Sequence, residues 1–312
     1  MLVLTDDNRG ENSRPSVITI GAYDGVHRGH QAVIAQVREL ADQMGCQSVV
    51  VTFDRHPASV VRPETAPRLL TDMEQKLELL AATGVDATCV VTFDEQKARM
   101  TADDFAREVL IDGLGTKVIV VGEDFHFGYR RQGNVSTLRE MGRDLGFRVD
   151  PVKLIPRSDG VMEPVSSTAI RRALAGGQVE TAAQLLGRPF EIRGEVVHGD
   201  QRGRTIGFPT ANIAVPQAMC LPADGVYAGH FFDEAGRAYL CAVNLGRRPT
   251  FVEHSDHSLL EAHLLDFDGD LYGQRARVTF EKFLRSERKF DGLESLRTQL
   301  TDDVAAARSA LS

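Results

Sequence analysis

The chain has 312 residues, 36 Lys plus Arg against 44 Asp plus Glu, a formal net charge of −8, and 42% hydrophobic and 26% charged residues. The length argues for two domains and the composition for an ordinary globular protein rather than a disordered or fibrous one. The acidic balance excludes a protein that grips nucleic acid through overall charge, because phosphate backbones need a basic surface, but leaves room for small anionic ligands held by a few local donors. No stretch approaches the roughly 18 uninterrupted apolar residues of a membrane span, and the opening MLVLTDDNRGENSRP lacks the basic n-region of a signal peptide. Cys46, Cys89, Cys220 and Cys241 form no C-x-x-C pair and read as reduced thiols of a cytoplasmic protein.

In the first half, apolar β-branched runs repeatedly end on an acidic residue: Val17–Asp24, Ser48–Asp54, Thr88–Asp94 and Lys117–Asp124. Near-continuous apolar runs suit strands buried on both faces of a parallel sheet. Between them, Gln31–Met44 spaces Val33, Ile34, Val37 and Leu40 at helical intervals. Thr71-Asp-Met-Glu74 reads as a capping box opening a helix that runs through Leu80 to Gly84, and Thr101 opens another. Strand and helix alternating at this spacing predict an α/β doubly wound, Rossmann-like sheet, whose ligands sit beyond the carboxyl ends of the strands. Asp54 and Asp94 lie at such ends, where starting a turn is an equal alternative to binding. Two short helices follow, SSTAIRRALAGG and QVETAAQLLG, parted by Gly176-Gly177.

After Gly187-Arg188-Pro189 the texture changes to short runs at close spacing: Phe190–His198, Gly225–Asp233, Gly236–Asn244, Leu259–Asp266 and Gln274–Phe283. These predict an antiparallel barrel or sandwich, closed by an amphipathic helix over Leu293–Leu311. The expected domains are therefore 1–186 and 187–312.

Two constellations carry chemistry. Where the first strand turns into the first helix stands Gly21-Ala-Tyr-Asp24-Gly-Val-His27-Arg-Gly-His30-Gln. Its glycines permit a tight turn and close ligand approach, the helix N-terminus offers N–H groups to a phosphate, and His27 and His30 are spaced to donate to one anion. A metal-binding His pair and two structural histidines are the alternatives. The second is His198–Asn212, with Gly199, Gly203 and Gly207 spaced to form a phosphate nest and Arg202 and Arg204 between them. Thr210 and Asn212, at i and i+2, offer hard oxygens suited to Mg²⁺ carrying nucleotide phosphates; a plain glycine-rich hairpin is the alternative. Further on, Ser166, Ser167 and Thr168 can cap a helix while Arg171 offers a phosphate fork. Glu261 lies in a run of period-2 alternation amid apolar neighbours, where pairing with Arg247 or Arg285 competes with a catalytic role.

The GxxDGVHxGHQ string resembles the H-x-G-H motif of the nucleotidyltransferases, and specifically that of the bacterial bifunctional riboflavin kinase/FAD synthetase family. TFDRHP (52–57), GEDFHFG (122–128) and VSSTAIRRAL (165–174) match that family, as do the GxxxGRxxGFPTAN signature, PADGVYAG, NLGRRPTF, LLEAHLLDFDGDLYG and FLRSERKF, co-linear over nearly the whole chain. Tyr23 stands where Phe is usual and Arg55 where Pro is frequent. The resemblance implies a nucleotidyltransferase domain followed by a six-stranded antiparallel β-barrel kinase. It implies that riboflavin is phosphorylated by ATP to FMN, and that AMP is then transferred from ATP to FMN, giving FAD and pyrophosphate. ATP for the adenylyl transfer would meet Gly21, Asp24, His27, His30, Ser166, Thr168 and Arg171, and FMN would meet Asp54, His56, Asp124 and Phe127. In the kinase, ATP would meet Gly199, Gly203, Gly207 and Thr210, Mg²⁺ would be held by Thr210 and Asn212, flavin would meet Asn244 and Arg285, and Glu261 would be the base. His254 and His257 read as polar loop groups and His263 as a strand residue beside Glu261. The expected partners are small-molecule substrates, with no nucleic acid and no membrane, and a homo-oligomer is compatible with the sequence. The alternative is a single-activity H-x-G-H adenylyltransferase with a flavin-binding or regulatory barrel.

Overall fold

The computed structural model describes residues 1–11, 14–153, 155–157, 159–199, 203, 206–246 and 257–311, the last segment by backbone alone at 257–259. The chain divides into two compact units, Met1–Ser167 and Thr168–Ser312.

The first unit is built on a six-stranded sheet of β1 (Leu2–Thr5), β2 (Ser16–Ile20), β3 (Gln47–Phe53), β4 (Ala87–Val91), β5 (Thr116–Gly122) and β8 (Arg148–Val152). The order is β1-β4-β3-β2-β5-β8 and every pairing is parallel. From β2 the chain first winds outward through β3 and β4 and later returns to lay β5 on the opposite side. The crevice between β2 and β5 is thus the topological switch point at which such sheets bind ligands. Both faces are apolar: Ile18, Val49, Val51 and Ile119 enter one core cluster, while Val17, Val50, Val118 and Val120 enter those of the other face. The predicted doubly wound architecture is what forms.

Helix α1 (Arg28–Met44) buries Ile34, Val37 and Ala41 and ends at Gly45 in the left-handed conformation. A short α2 (Pro57–Val61) precedes α3 (Met73–Ala82). The cap of α3 is Asp72, whose carboxylate accepts from Gln75 N at 2.7 Å, and not the expected Thr71. Thr71 is taken by a tertiary contact with Asp24 described below, and the adjacent carboxylate is an equally good cap. After α4 (Glu95–Ala98), Thr101 caps α5 (Ala102–Phe105) as expected, and that helix runs on as a π-helical stretch through Asp112. A two-residue hairpin, β6 (His126–Phe127) with β7 (Gly133–Asn134), leads into α6 (Val135–Leu145).

The second unit carries most of α7 (Ser167–Ala175), then α8 (Val179–Leu186), which ends at left-handed Gly187. The strands are β9 (Phe190–Val197), β10 (Ala211–Pro216), β11 (Gly225–Phe232), β12 (Ala238–Leu245), β13 (His257–Leu264), β14 (Arg275–Phe280) and β15 (Lys282–Arg285). All pair antiparallel in the order β12-β13-β10-β9-β14-β11, and β11 pairs again with β12 to close a six-stranded barrel, with β15 added on β11. Phe190, Ile213, Tyr227, Phe231, Leu260, Val278 and Phe280 fill the interior. Helix α9 (Leu293–Leu311) packs outside it on β11, β12 and β15.

Five of the described strands escape the sequence reading, two of them the two-residue β6 and β7. β1 and β8 are short edge strands, where the pattern is weak and Pro151 is tolerated. β10 lies hidden at the end of the glycine signature. The run Gln274–Phe283, expected as one strand, is two, parted at Glu281.

Gly229 on β11 marks where two strands approach too closely for any side chain, since a Cβ there would collide with the Thr279 carbonyl on β14. Gly229→Ala is expected to cost roughly 2–3 kcal/mol by overpacking, read as a lower urea midpoint by circular dichroism. An unchanged midpoint would mean the strands can part freely.

Candidate active sites

Directly after β2 the loop Gly21–His27 holds Tyr23 at φ 50°, Gly25 at φ 85° and Val26 at φ 38°. Two non-glycine residues in the left-handed region within four positions store strain of order 1–3 kcal/mol each, and something must hold them. Asp24, 4% exposed, does so. Its carboxylate accepts from Leu70 N at 2.9 Å, from Thr71 N at 3.2 Å and from the Thr71 hydroxyl at 3.3 Å, while Gly25 N donates back to Thr71 Oγ1 at 3.2 Å. The carboxylate expected to face ATP is therefore turned inward on the loop before α3. The Tyr23 hydroxyl meets Thr19 Oγ1 at 2.7 Å, which gives the departure from Phe at this position a buried partner.

His27 caps α1: its Nδ1 accepts from His30 N at 3.3 Å, which puts the ring proton on Nε2. The two imidazoles stack with centroids 3.6 Å apart. A Cβ at Gly29 would lie 3.1 Å from the His27 ring and 3.3 Å from the Val165 carbonyl, so the small residue inside H-x-G-H is a packing requirement. His30 Nδ1 is sealed from solvent and has no hydrogen-bond partner among the described residues. Burial, then the charges of His27 and Lys76, hold the His30 value well below that of an ordinary imidazole. An orphaned ring nitrogen at a helix N-terminus beside the switch point is a ready partner for a phosphate oxygen.

Of the remaining predicted residues, Ser167, at the head of α7, donates from Oγ to the Asp24 carbonyl at 2.9 Å, bringing Ser166-Ser167 to this loop. Thr168 and Arg171 fall in the second unit. Asp54 lies at the end of β3 and accepts from Phe93 N at 2.8 Å and from Arg55; burial works to raise its value, but these donors hold it below the usual carboxylate range. His56 caps α2, accepting from Ala58 N at 3.1 Å. Asp124 is exposed, and its carbonyl takes the His126 ring at 2.7 Å. Phe127 is buried in a core cluster against one face of the sheet and stacks on Phe125 at 5.6 Å. The sequence reading missed Lys76. It is buried on α3 one turn before buried Leu80, so a cation on the apolar stripe was the available signal.

In the second unit register builds the site. Glu261 on β13 pairs with Asn212 on β10 and with Asn244 on β12; Asn244 pairs with Val226, and Val226 with Arg285. One cross-strand row thus carries an amide, a carboxylate, a second amide and a guanidinium. All five line a cavity of about 590 Å³, with Thr210 and Gly203 at one end and Leu296 and Leu300 of α9 covering it. Arg285 does not pair with Glu261: it forks onto Asp303 of α9 at 2.7 and 2.6 Å. Arg247, the other competitor, lies outside the described residues, as do Arg202, Arg204 and His254, and the side chain of His257. His263 donates from Nδ1 to the Pro209 carbonyl at 2.7 Å, tying the Phe208-Pro209-Thr210 turn to the strand of Glu261. Gly203 and Gly199 are required by contact, because a Cβ would strike the Phe208 carbonyl at the first and the Asn212 side chain at the second; Gly207 has φ 88°. No group of three or more His, Cys, Asp or Glu gathers among the described residues. The donors at hand for a metal are instead a hydroxyl, an amide oxygen and a carboxylate, the hard oxygens that Mg²⁺ accepts while keeping waters and phosphates.

A strained loop leading into a helix N-terminus at the switch point of an α/β unit, followed by a barrel with a carboxylate in a large cavity, fits two group-transfer domains in tandem. A model of the FAD synthetase family matches residues 9–169, and one of the riboflavin kinase family matches residues 186–311. The bifunctional riboflavin kinase/FMN adenylyltransferase of Pseudomonas fluorescens is 42% identical over 95% of this chain and 93% of its own, and that of Escherichia coli K12 is 39% identical over 94% and 91%. A crystal structure of a macrolide-efflux protein from Streptococcus pneumoniae superposes with TM-score 0.86 at 30% identity over 99% of each chain. Among the described residues no helix is long and apolar enough to cross a membrane. The chain belongs to the bifunctional riboflavin kinase/FMN adenylyltransferase family.

Because His30 resists protonation when folded and accepts it near pH 6.5 when unfolded, its contribution to stability is present above about pH 6.5 and lost as pH falls below that. Melting curves at pH 7.5 and 5.5 should show a smaller acid-induced drop for His30→Gln than for wild type. Equal drops would mean that the imidazole titrates normally.

Proposed function

We infer that the chain makes FAD from riboflavin in two ATP-driven steps: phosphorylation to FMN in the barrel, then adenylyl transfer in the α/β domain. The observation that carries this reading is that the two family models match separate stretches, residues 9–169 and 186–311, each containing one of the two sites. With both present, a single-activity adenylyltransferase carrying a regulatory barrel is not favoured. The same division supports functional domains of 1–186 and 187–312, and thiols rather than disulfides at all four cysteines support a cytoplasmic setting.

In the kinase step the riboflavin 5′-hydroxyl is a neutral nucleophile. Glu261 is placed to accept its proton as the oxygen bonds to the γ-phosphorus and ADP leaves. Asn244 beside Glu261 and Arg285 further along the row would orient the flavin, and Asp303 fixes the guanidinium in turn. Thr210 and Asn212 are the residues that would hold Mg²⁺, which when bound supplies charge neutralisation for the ATP phosphates. In the adenylyl step the FMN phosphate is already an anion, so no base is needed. One of its oxygens attacks the α-phosphorus and pyrophosphate departs, with His27 Nε2–H and His30 donating to the transferring and leaving oxygens. Strain held by Asp24 keeps these donors in position before substrate arrives.

His30→Ala should abolish FAD formation, by roughly 10²–10³ in rate, while FMN still accumulates. Equal loss of both activities would point to misfolding or a wrong assignment. Glu261→Gln should lower FMN formation about 10²–10⁴-fold and leave FAD synthesis from supplied FMN untouched; kinase turnover within about threefold of wild type would remove Glu261 from the role of base. Chromatographic separation of riboflavin, FMN and FAD after incubation with ATP and Mg²⁺ reads both variants.

A further inference from the structure

Lys76 is a buried cation that neither step has used. It stands in the first turn of α3, 7% exposed, and helical side chains lean toward the N-terminal end of their helix. That directs it toward the loop Leu70-Thr71 that holds Asp24. Its ammonium makes one hydrogen bond, to the carbonyl of Phe53 at the carboxyl end of β3, at 3.2 Å. It forms no ion pair within 4 Å among the described residues, and the nearby carboxylates are engaged elsewhere: Asp24 by Leu70 and Thr71, Asp54 by Phe93 and Arg55. Two of three ammonium protons are left without a protein acceptor among the described residues. Burial lowers the Lys76 value, Asp24 and Asp54 work against that, and the Lys76 charge is felt at His30. The ammonium therefore sits at the carboxyl end of β3, the strand paired with β2, at the edge where a parallel sheet takes its ligand.

A buried, under-coordinated cation is costly to the fold unless an anion completes it. We propose that Lys76 is a phosphate-binding residue of the adenylyl-transfer site, its two remaining protons taken by substrate phosphate where the nucleophilic phosphate of FMN meets the triphosphate of ATP. The assignment rests on the adenylyltransferase reading above and deepens it.

The test is Lys76→Met, which keeps the length and apolar stem and removes the charge. FAD synthesis from FMN and ATP should fall about 10²–10³-fold, as for other charge-stabilising donors, while riboflavin phosphorylation is retained. The variant should melt no lower than wild type, because an incompletely solvated charge has left the interior; a lysine of purely structural role would instead lower the melting temperature. A raised KM for ATP alone assigns the ammonium to the triphosphate, and a raised KM for FMN alone assigns it to the flavin phosphate. FAD synthesis within about threefold of wild type overturns the proposal. Should Lys76→Met melt lower, Lys76→Gln decides, since it can keep the hydrogen bond to Phe53 without the charge: full activity there overturns the assignment, and a matching loss upholds it. Absence of FAD from the wild-type protein is the separate result that would sink the underlying reading.

Discussion

The first unit depends on the carboxylate of Asp24. Its acceptance of the Leu70 and Thr71 N–H groups is what holds Tyr23 and Val26 in the left-handed region. That conformation in turn sets His27 at the head of α1. The carbonyl of the same residue receives Ser167, so one position ties the first crossover, the approach to α3 and the start of α7 together. A buried carboxylate with three donors is a strong clamp because each bond is charge-assisted and the site is dry.

What the clamp maintains is a region poor in its own acceptors. Among the described residues His30 Nδ1 has no hydrogen-bond partner and the Lys76 ammonium has one. Native interiors rarely leave polar atoms this way, and a group so left calls for a local reason, a catalytic role among them. Burial, with His27 and Lys76 beside it, holds His30 well below an ordinary imidazole, and burial also lowers Lys76 against the pull of Asp24 and Asp54.

The barrel achieves its site by a different device. Closure fixes register, and register places Asn212, Glu261 and Asn244 side by side on three neighbouring strands, with Val226 and Arg285 continuing the row. A slip of one residue on β13 would turn Glu261 into the apolar interior, where Leu260 and Ala262 now lie. Helix α9 then supplies the apolar cover and, through Asp303, the geometry of Arg285. Site and core are consequences of one hydrogen-bonding pattern.

The sequence by itself determined the doubly wound first half, an antiparallel second half, the loop chemistry at residues 21–30, the final helix and the alternation around Glu261, because each is written in local periodicity or in residues with special backbone freedom; that the second half closes as a barrel was implied by the family resemblance and decided by the pairing of β11 with β12. Only the tertiary structure decided that Asp24 faces inward, that Asp72 rather than Thr71 caps α3, that Phe127 is core, that Arg285 belongs to Asp303, and that Lys76 is a buried cation near His30. Each of those is a choice between partners that are equivalent along the chain, and the choice is made by which groups the folded strands and helices bring within hydrogen-bonding distance.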